Sequence, residues 1–156
     1  MSSSSLASVT NQRLDAARRL LQQATEMDND WMTQSLESSA LFQLRSGLNG
    51  LLQEVKTSYS LPAALDLDLL LQAANAKGIS VPVLNELALL KSNGQSWLSQ
   101  LHIAFQAALD CQVANQSYGA GVELIGRGSD AGTSTKYILS SLTELVLRYR
   151  EDAAEY

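Results

Sequence analysis

The stretch that decides the fold is residues 40–59, ALFQLRSGLNGLLQEVKTSY. At about 100° per residue, its apolar side chains gather on roughly a third of a helix circumference, which is typical of a core-facing helix. This stripe consists of Ala40, Leu41, Leu44, Leu48, Leu51, Leu52, Val55 and Tyr59. Ser46, Gly47 and Gly50 lie beside the stripe, where small residues lower helix propensity but let a neighbouring backbone come close. The segment predicts the central helix of a helical domain.

The flanking sequence predicts a single-domain, all-α helical bundle of about five to six helices, in which the long central helix is the second. We expect residues 1–9 to be a flexible lead, and Thr10 to cap a first helix that ends near Met27. The second helix should start at Asp30 and run to about Ser58, a length of about 40 Å at 1.5 Å per residue. No useful strand-like alternation interrupts this pattern, so the class is all-α.

Capping residues and glycines set the remaining predicted boundaries. Ser60-Leu61-Pro62 predicts the start of a third helix that reaches about Lys77, and a short fourth helix runs from Pro82 to Asn93-Gly94. Ser96 should cap a fifth helix that fades near Tyr118. Residues 119–132, GAGVELIGRGSDAG, hold five of the nine glycines and predict a loop, after which Thr133 or Ser134 caps the last helix. One domain over residues 10–156 is therefore expected.

Composition narrows the function classes. The formal charge of −5, from 16 acidic and 11 basic residues, opposes general affinity for nucleic acid. No apolar run approaches the roughly 20 residues that cross a bilayer, so no membrane association is expected. The first five residues lack the features of a signal peptide, and the single Cys111 cannot form an internal disulfide, so a cytoplasmic location is expected.

The sequence contains few residues that could carry catalysis or bind a metal. His102 and Cys111 are nine residues apart on one predicted helix, which places them on opposite sides and excludes a dyad within one subunit. A structural or surface histidine and a partly buried, apolar cysteine are the preferred interpretations. With one histidine, one cysteine and no Glu-x-x-His pair, neither a di-iron nor a zinc site is expected, and no cofactor is predicted.

The glycine-rich segment has the spacing of a phosphate-binding loop between Gly121 and Gly126. Arg127 stands where that motif has lysine, Gly128 stands where it has serine or threonine, and no strand precedes the segment. A linker within the bundle is therefore the preferred interpretation. Arg127 with the glycine N–H groups remains a candidate anion contact.

Glu37 would lie on the stripe of the second helix, where an unpaired carboxylate is costly. Either the stripe reaches solvent at this point, or Glu37 pairs with an arginine of the first helix. The candidates for such a pair are Arg13, Arg18 and Arg19.

Some apolar residues do not fit the stripes of their helices. Phe42, Ile103 and Leu147 point away from the predicted core, and Trp31 sits at a helix start. Scattered surface positions are the simpler interpretation. If these residues gather with Glu37 into one patch, they form a surface for a partner or a second copy.

Several segments resemble a small uncharacterised family of bacterial helical proteins: Asn11-Gln12-Arg13-Leu14, residues 37–59, Leu61-Pro62 and the helix that begins Trp97-Leu98. The resemblance implies a helical fold and no known activity. More distantly, the chain is similar to HEPN-type bundles, which occur as toxin RNases or as helpers of nucleotidyltransferases. The RNase members carry an arginine four to six residues before a histidine, whereas no arginine lies within ten residues before His102.

Two hypotheses of function follow. In the first, the protein is a non-enzymatic cytoplasmic bundle that acts by protein–protein interaction, as an adaptor, a scaffold or a homo-oligomer. The alternative is a HEPN-like helper or enzyme related to nucleotides or anions, which uses the glycine-rich loop and Arg127.

Overall fold

The computed structural model describes residues 3–112 and 127–154, and the side chains of residues 5–112 and 134–154. Within these ranges the chain forms six α-helices and no strand, so the prediction of an all-α, single-domain bundle is confirmed. The helices are α1 (Ser3–Thr25), α2 (Asp30–Ser58), α3 (Leu67–Ala76), α4 (Pro82–Ser92), α5 (Trp97–Leu109) and α6 (Arg127–Ala154).

The central helix α2 has the predicted bounds. Asn29 caps its start, with its side-chain oxygen accepting a hydrogen bond from the Met32 N–H at 2.9 Å. Its leucine stripe is buried, and α1, α5 and α6 all pack against this helix. The core therefore surrounds α2, as the 40–59 pattern predicts.

Gly47 and Gly50 let α1 approach α2 closely, which confirms the use predicted for these small residues. A Cβ atom added at Gly50 would lie 2.5 Å from Thr10 Oγ1 and 3.3 Å from Thr10 Cα. A Cβ atom at Gly47 would lie 3.3 Å from the Leu14 Cδ2 methyl. Contact between α1 and α2 is thus closest where Thr10 meets Gly50.

The start of α1 differs from the prediction. The helix begins at Ser3, so residues 3–9 are helical and are not a flexible lead. Thr10 is buried inside α1, where its Oγ1 donates a hydrogen bond to the Leu6 carbonyl at 3.1 Å. A serine-rich stretch extends a helix here because the helix packs against α2 and α6, and tertiary contacts outweigh low intrinsic propensity.

The end of α2 explains why the third helix starts later than predicted. Ser60 has a φ of 52°, and the Leu61 N–H donates to the Lys56 carbonyl at 3.0 Å. This pattern is a Schellman motif, which stops a helix and buries the apolar residue that follows. The side-chain ammonium of Lys77 donates to the carbonyls of Tyr59 and Ser60, both at 2.9 Å. Ser60 therefore ends one helix instead of beginning the next.

The other boundaries show one confirmation and three corrections. Asp66 caps α3 by accepting the Leu69 N–H at 3.0 Å, so this helix starts at Leu67. Helix α4 has nearly the predicted bounds, whereas α5 ends at Leu109, well before Tyr118. Helix α6 begins at Arg127, so residues 127–132 are helical and not part of a loop, and residues 119–126 lie outside the described residues.

Candidate functional site

A small polar cleft opens between α2, the turn before α3, α4 and α5. Its volume is about 70 Å³. Its polar walls are the side chains of Arg45, Asp66, Lys91 and His102, and its apolar walls are Leu48, Leu52, Leu65, Leu67, Leu87 and Leu98. We call this feature the Arg45 cleft. It brings three basic side chains together in a chain with a net charge of −5.

Arg45 enters the cleft from the outer flank of α2 and is half-buried. Its Nη1 donates to Asn49 Oδ1 at 3.2 Å, and its Cζ lies 6.0 Å from the centre of the Phe105 ring, which is cation–π distance. Within the described residues no carboxylate lies within 4.0 Å of its guanidinium. Burial lowers the pKa of Arg45, and the charge of Asp66 partly opposes this effect.

His102 faces the same cleft from α5. Burial lowers the pKa of His102, and the positive charges of Arg45 and Lys91 lower it further. Both effects favour the neutral form of the imidazole. Lys91 reaches across from α4 to pair with Asp68 at 2.8 Å.

Two exposed aromatic side chains lie on α2, on the N-terminal side of Arg45. Phe42 is 42% exposed and meets Phe105 edge to face, with the ring centres 5.0 Å apart. Trp31, at the start of α2, is 67% exposed. Trp31 and Phe42 are eleven residues apart, so helix geometry puts them within about 20° of one another, about 16 Å apart along the axis. We call Trp31, Phe42 and Phe105 the aromatic flank.

Ile103 and Leu147 are also exposed, at 62% and 55%, but lie elsewhere. Ile103 precedes Phe105 by two residues, which turns it about 160° away around α5. Leu147 is turned by the same amount from the buried Leu145 and faces outward from α6. Of the predicted interaction residues, Trp31 and Phe42 therefore share one flank, while Ile103 and Leu147 occupy other sides of their helices.

Glu37 is half-buried, and no arginine of α1 pairs with it. Arg18 and Arg19 instead bind Asp15, at 2.6 and 2.7 Å. Burial raises the pKa of Glu37, and the charge of Lys136 on α6 opposes this effect. Among the described residues, none forms an ion pair with Glu37 within 4.0 Å. The desolvation cost of its carboxylate is therefore reduced by partial exposure to solvent and not by an arginine of α1.

The buried carboxylate that pairs with an arginine is Glu54, which the sequence reasoning missed. Glu54 is 5% exposed and accepts two hydrogen bonds from Arg150 of α6, at 3.3 and 3.2 Å. The same guanidinium donates to Asn11 Oδ1 and to the Ala7 carbonyl of α1. Arg150 therefore joins α1, α2 and α6. Only the position of Glu54 beside the leucine stripe hinted at this, because its partner lies 96 residues away.

Cys111, unlike His102, does not line the Arg45 cleft. Cys111 lies beyond the end of α5 with a φ of 59° and is exposed, not partly buried as expected. The side chain of Arg127 and the glycines of residues 119–126 lie outside the described residues, so the predicted anion contact there stays a prediction. In the described parts of the chain no three His, Cys, Asp or Glu side chains are grouped to hold a metal ion.

The described helices include none with both the length and the apolar character needed to cross a membrane. Fold and site together define the class: an all-α bundle built around one long helix, with a polar cleft and an aromatic flank on the same side of that helix. The chain belongs to a family of unknown function, DUF6586, whose model matches residues 1–156. Comparison with the curated proteins and with the solved structures gives no match. The predicted resemblance to an uncharacterised helical family is thus confirmed, while similarity to HEPN bundles and a bacterial source stay predictions.

Proposed function

We propose that this protein is a non-catalytic, cytoplasmic helical bundle that acts by binding another protein, a second copy of itself included. The observation that carries the proposal is the aromatic flank. Trp31 and Phe42 stand on one side of the helix that organises the core, and both expose much of their ring surface. Aromatic side chains of this kind supply a large share of the binding energy in protein interfaces.

The residues between the two exposed rings are small and polar. Ser35 and Ser38 lie between Trp31 and Phe42 on the same side of α2, so two rings border a strip of small polar residues. Phe42 is supported from below by Phe105, which restricts its ring. A supported ring loses less conformational entropy on binding than a free one.

The rigid attachment of the flank to the core also supports this role. Leu41 and Leu44, which lie before and after Phe42 on the same helix, are buried in the core. A partner that binds Phe42 therefore meets a surface of fixed shape, which reduces the ordering cost of association.

The single cysteine is compatible with a reducing compartment such as the cytoplasm.

The test compares a double variant, Trp31→Ser with Phe42→Ser, with the control Leu89→Ser. Leu89 is 73% exposed on α4 and lies outside the flank, so the control also removes an exposed apolar side chain. Sedimentation velocity over a wide concentration range measures self-association, and tagged protein captured from its native cell measures binding to a partner. We expect the double variant to weaken the interaction at least tenfold, while the control retains it, because two aromatic anchors typically contribute more than about 1.4 kcal/mol.

Two results would refute the proposal. One is a strictly monomeric protein from which no partner is recovered at any concentration. The other is an interaction that survives in the double variant but is lost in Ile103→Ser or Leu147→Ser, since these exposed residues are not part of the aromatic flank. Far-UV circular dichroism on each variant verifies that the helices are intact.

A further inference from the structure

We propose that the Arg45 cleft binds a small oxyanion group, a carboxylate or a phosphate-like group, held by the guanidinium of Arg45 between His102 and Lys91. This inference goes beyond the proposed function and does not rest on it. The cleft and the aromatic flank involve different side chains, so each can be tested separately.

Arg45 and His102 have hydrogen-bonding groups in the cleft that bind no described residue. Arg45 carries several N–H groups in a fixed fork, and the described residues take one hydrogen bond from it, to Asn49. Neither ring nitrogen of His102 has a hydrogen bond to a described residue. A half-buried guanidinium with unused donors matches the geometry of a carboxylate or phosphate, which accept two parallel hydrogen bonds.

The acidic residues nearby are already engaged. Asp66 caps α3 through its Oδ1, which accepts the Leu69 N–H at 3.0 Å. Asp68 pairs with Lys91 at 2.8 Å. Asp66 acts on Arg45 only through its charge, because it forms no ion pair with it within 4.0 Å. The charged groups around the cleft therefore leave Arg45 as the cation that lacks a direct counter-ion.

The surroundings of the cleft also favour an anion. Leu67, the first residue of α3, lines the cleft, and the Asp66 carboxylate caps this end of the helix. Leucine side chains form the rest of the wall, and such a wall strengthens charge interactions compared with water. A volume of about 70 Å³ holds a few water molecules, or one small oxyanion in their place.

Anion binding and protonation of His102 should be coupled. The two cations beside His102 disfavour its protonated form, and a bound anion would offset them. By linkage, the anion then raises the pKa of His102, and its affinity increases as the pH falls. We expect binding at pH 5.5 to be severalfold tighter than at pH 8.

The chain has one histidine, so the Hε1 proton of its imidazole gives one NMR signal that needs no assignment among several histidines. The experiment follows this signal over pH in sodium sulfate, in sodium acetate and in sodium chloride at matched ionic strength. Sulfate stands for a phosphate group and stays fully ionised over this range, and acetate stands for a carboxylate. We expect the pKa of His102 to be higher in sulfate, acetate or both than in chloride, and the comparison of the two tells which oxyanion is preferred.

Arg45→Gln should abolish the difference between salts, and the matched control Arg18→Gln should retain it. Arg18 lies on the exposed face of α1, so its removal changes the net charge equally without touching the cleft. If Arg45→Gln does not fold, the proposal is tested by the wild-type protein alone, through the comparison of the His102 pKa in the three salts. An identical pKa of His102 in all three salts, or a difference that persists in folded Arg45→Gln, would overturn the proposal.

Discussion

Replacing Gly50 with alanine tests the close contact between α1 and α2. The added Cβ would lie 2.5 Å from Thr10 Oγ1, 3.2 Å from Thr10 Cβ and 3.3 Å from Thr10 Cα. Two of these three atoms cannot move without moving the backbone or side-chain base of α1. The two helices must therefore separate, and α1 must shift relative to its other contacts with α6.

Two opposing effects set the size of the change. Overpacking of a tight contact costs about 1–3 kcal/mol, whereas alanine is favoured over glycine inside a helix by about 1 kcal/mol. We expect Gly50→Ala to lower the free energy of unfolding by about 1–2 kcal/mol. For a chain of this length that corresponds to a fall in Tm of about 2–8 °C.

Gly47→Ala is the matched control, because it lies one turn away on the same helix and gains the same helix propensity. Its Cβ would lie 3.3 Å from the flexible Cδ2 methyl of Leu14, and its other neighbours, Leu14 Cγ and Arg13 Cβ, would lie at 3.7 Å, an ordinary van der Waals distance. We therefore expect this variant to be as stable as the wild type or more stable, by at most about 1 kcal/mol.

The assay is urea denaturation followed by far-UV circular dichroism. Adding Thr10→Ala to Gly50→Ala should recover part of the loss, giving a favourable coupling of about 1 kcal/mol in the double-mutant cycle. If Gly50→Ala were as stable as Gly47→Ala, or if Thr10→Ala gave no coupling, the closest approach of α1 would not be at this contact.

Three further predictions concern single positions. Ser60→Gly should raise the free energy of unfolding by about 0.5–1 kcal/mol, because Ser60 has a φ of 52° that glycine adopts without strain; unchanged or lower stability in urea denaturation would contradict this reasoning. Glu54→Gln should lower it by about 1–3 kcal/mol, because it leaves the partly buried Arg150 without its carboxylate; the same denaturation experiment would refute the role of the pair if stability did not change. The pKa of His102 is lowered by folding, so the unfolded chain binds protons more readily and the wild type should lose stability as the pH falls below 6.5. His102→Gln should remove this part of the pH dependence, and equal slopes of Tm against pH for both proteins would show that His102 does not cause it.

The core was predictable because it depends on a local periodicity. The leucine stripe and the bounds Asp30–Ser58 follow from spacing and capping along one segment, and α2 has both. Gly50 was identified as a point of close approach from its size alone. The contact of Gly50 with Thr10 was not predicted, because a single sequence contains no information on which residue of α1 reaches Gly50.

The predicted helix boundaries were wrong at residue types that occur both as helix caps and in other positions. Serine is common before a helix, but Ser60 takes the left-handed conformation that ends α2, and the carboxylate of Asp66 caps α3 instead. Similarly, Thr10 is a good capping residue, but its side chain is buried between helices. In both cases packing against distant parts of the chain decided between two locally acceptable structures.

Sites that join distant segments were the least predictable. The Arg45 cleft draws on four parts of the chain, and the pair of Glu54 with Arg150 spans 96 residues. Periodicity shows that these residues lie beside a stripe, but not which of them meet. The sequence therefore indicated Glu37 and Arg127 as the charged residues of interest, whereas Arg45 and Glu54 are the ones with notable surroundings in the structure.

Arg45 and Arg150 are two partly buried arginines of this bundle, and they differ in how many protein groups bind their guanidinium. The guanidinium of Arg150 is bound by Glu54, by Asn11 and by a carbonyl of α1, so its charge and donors are satisfied within the protein. Arg45 has one hydrogen bond, to Asn49, and its guanidinium lies over the Phe105 ring. Burying an arginine without a carboxylate lowers stability unless water or a ligand compensates. For Arg45, partial exposure to solvent and the charge of Asp66 offset part of this loss of stability. An oxyanion bound in the Arg45 cleft would offset the rest, which is the physical reason for the proposed site.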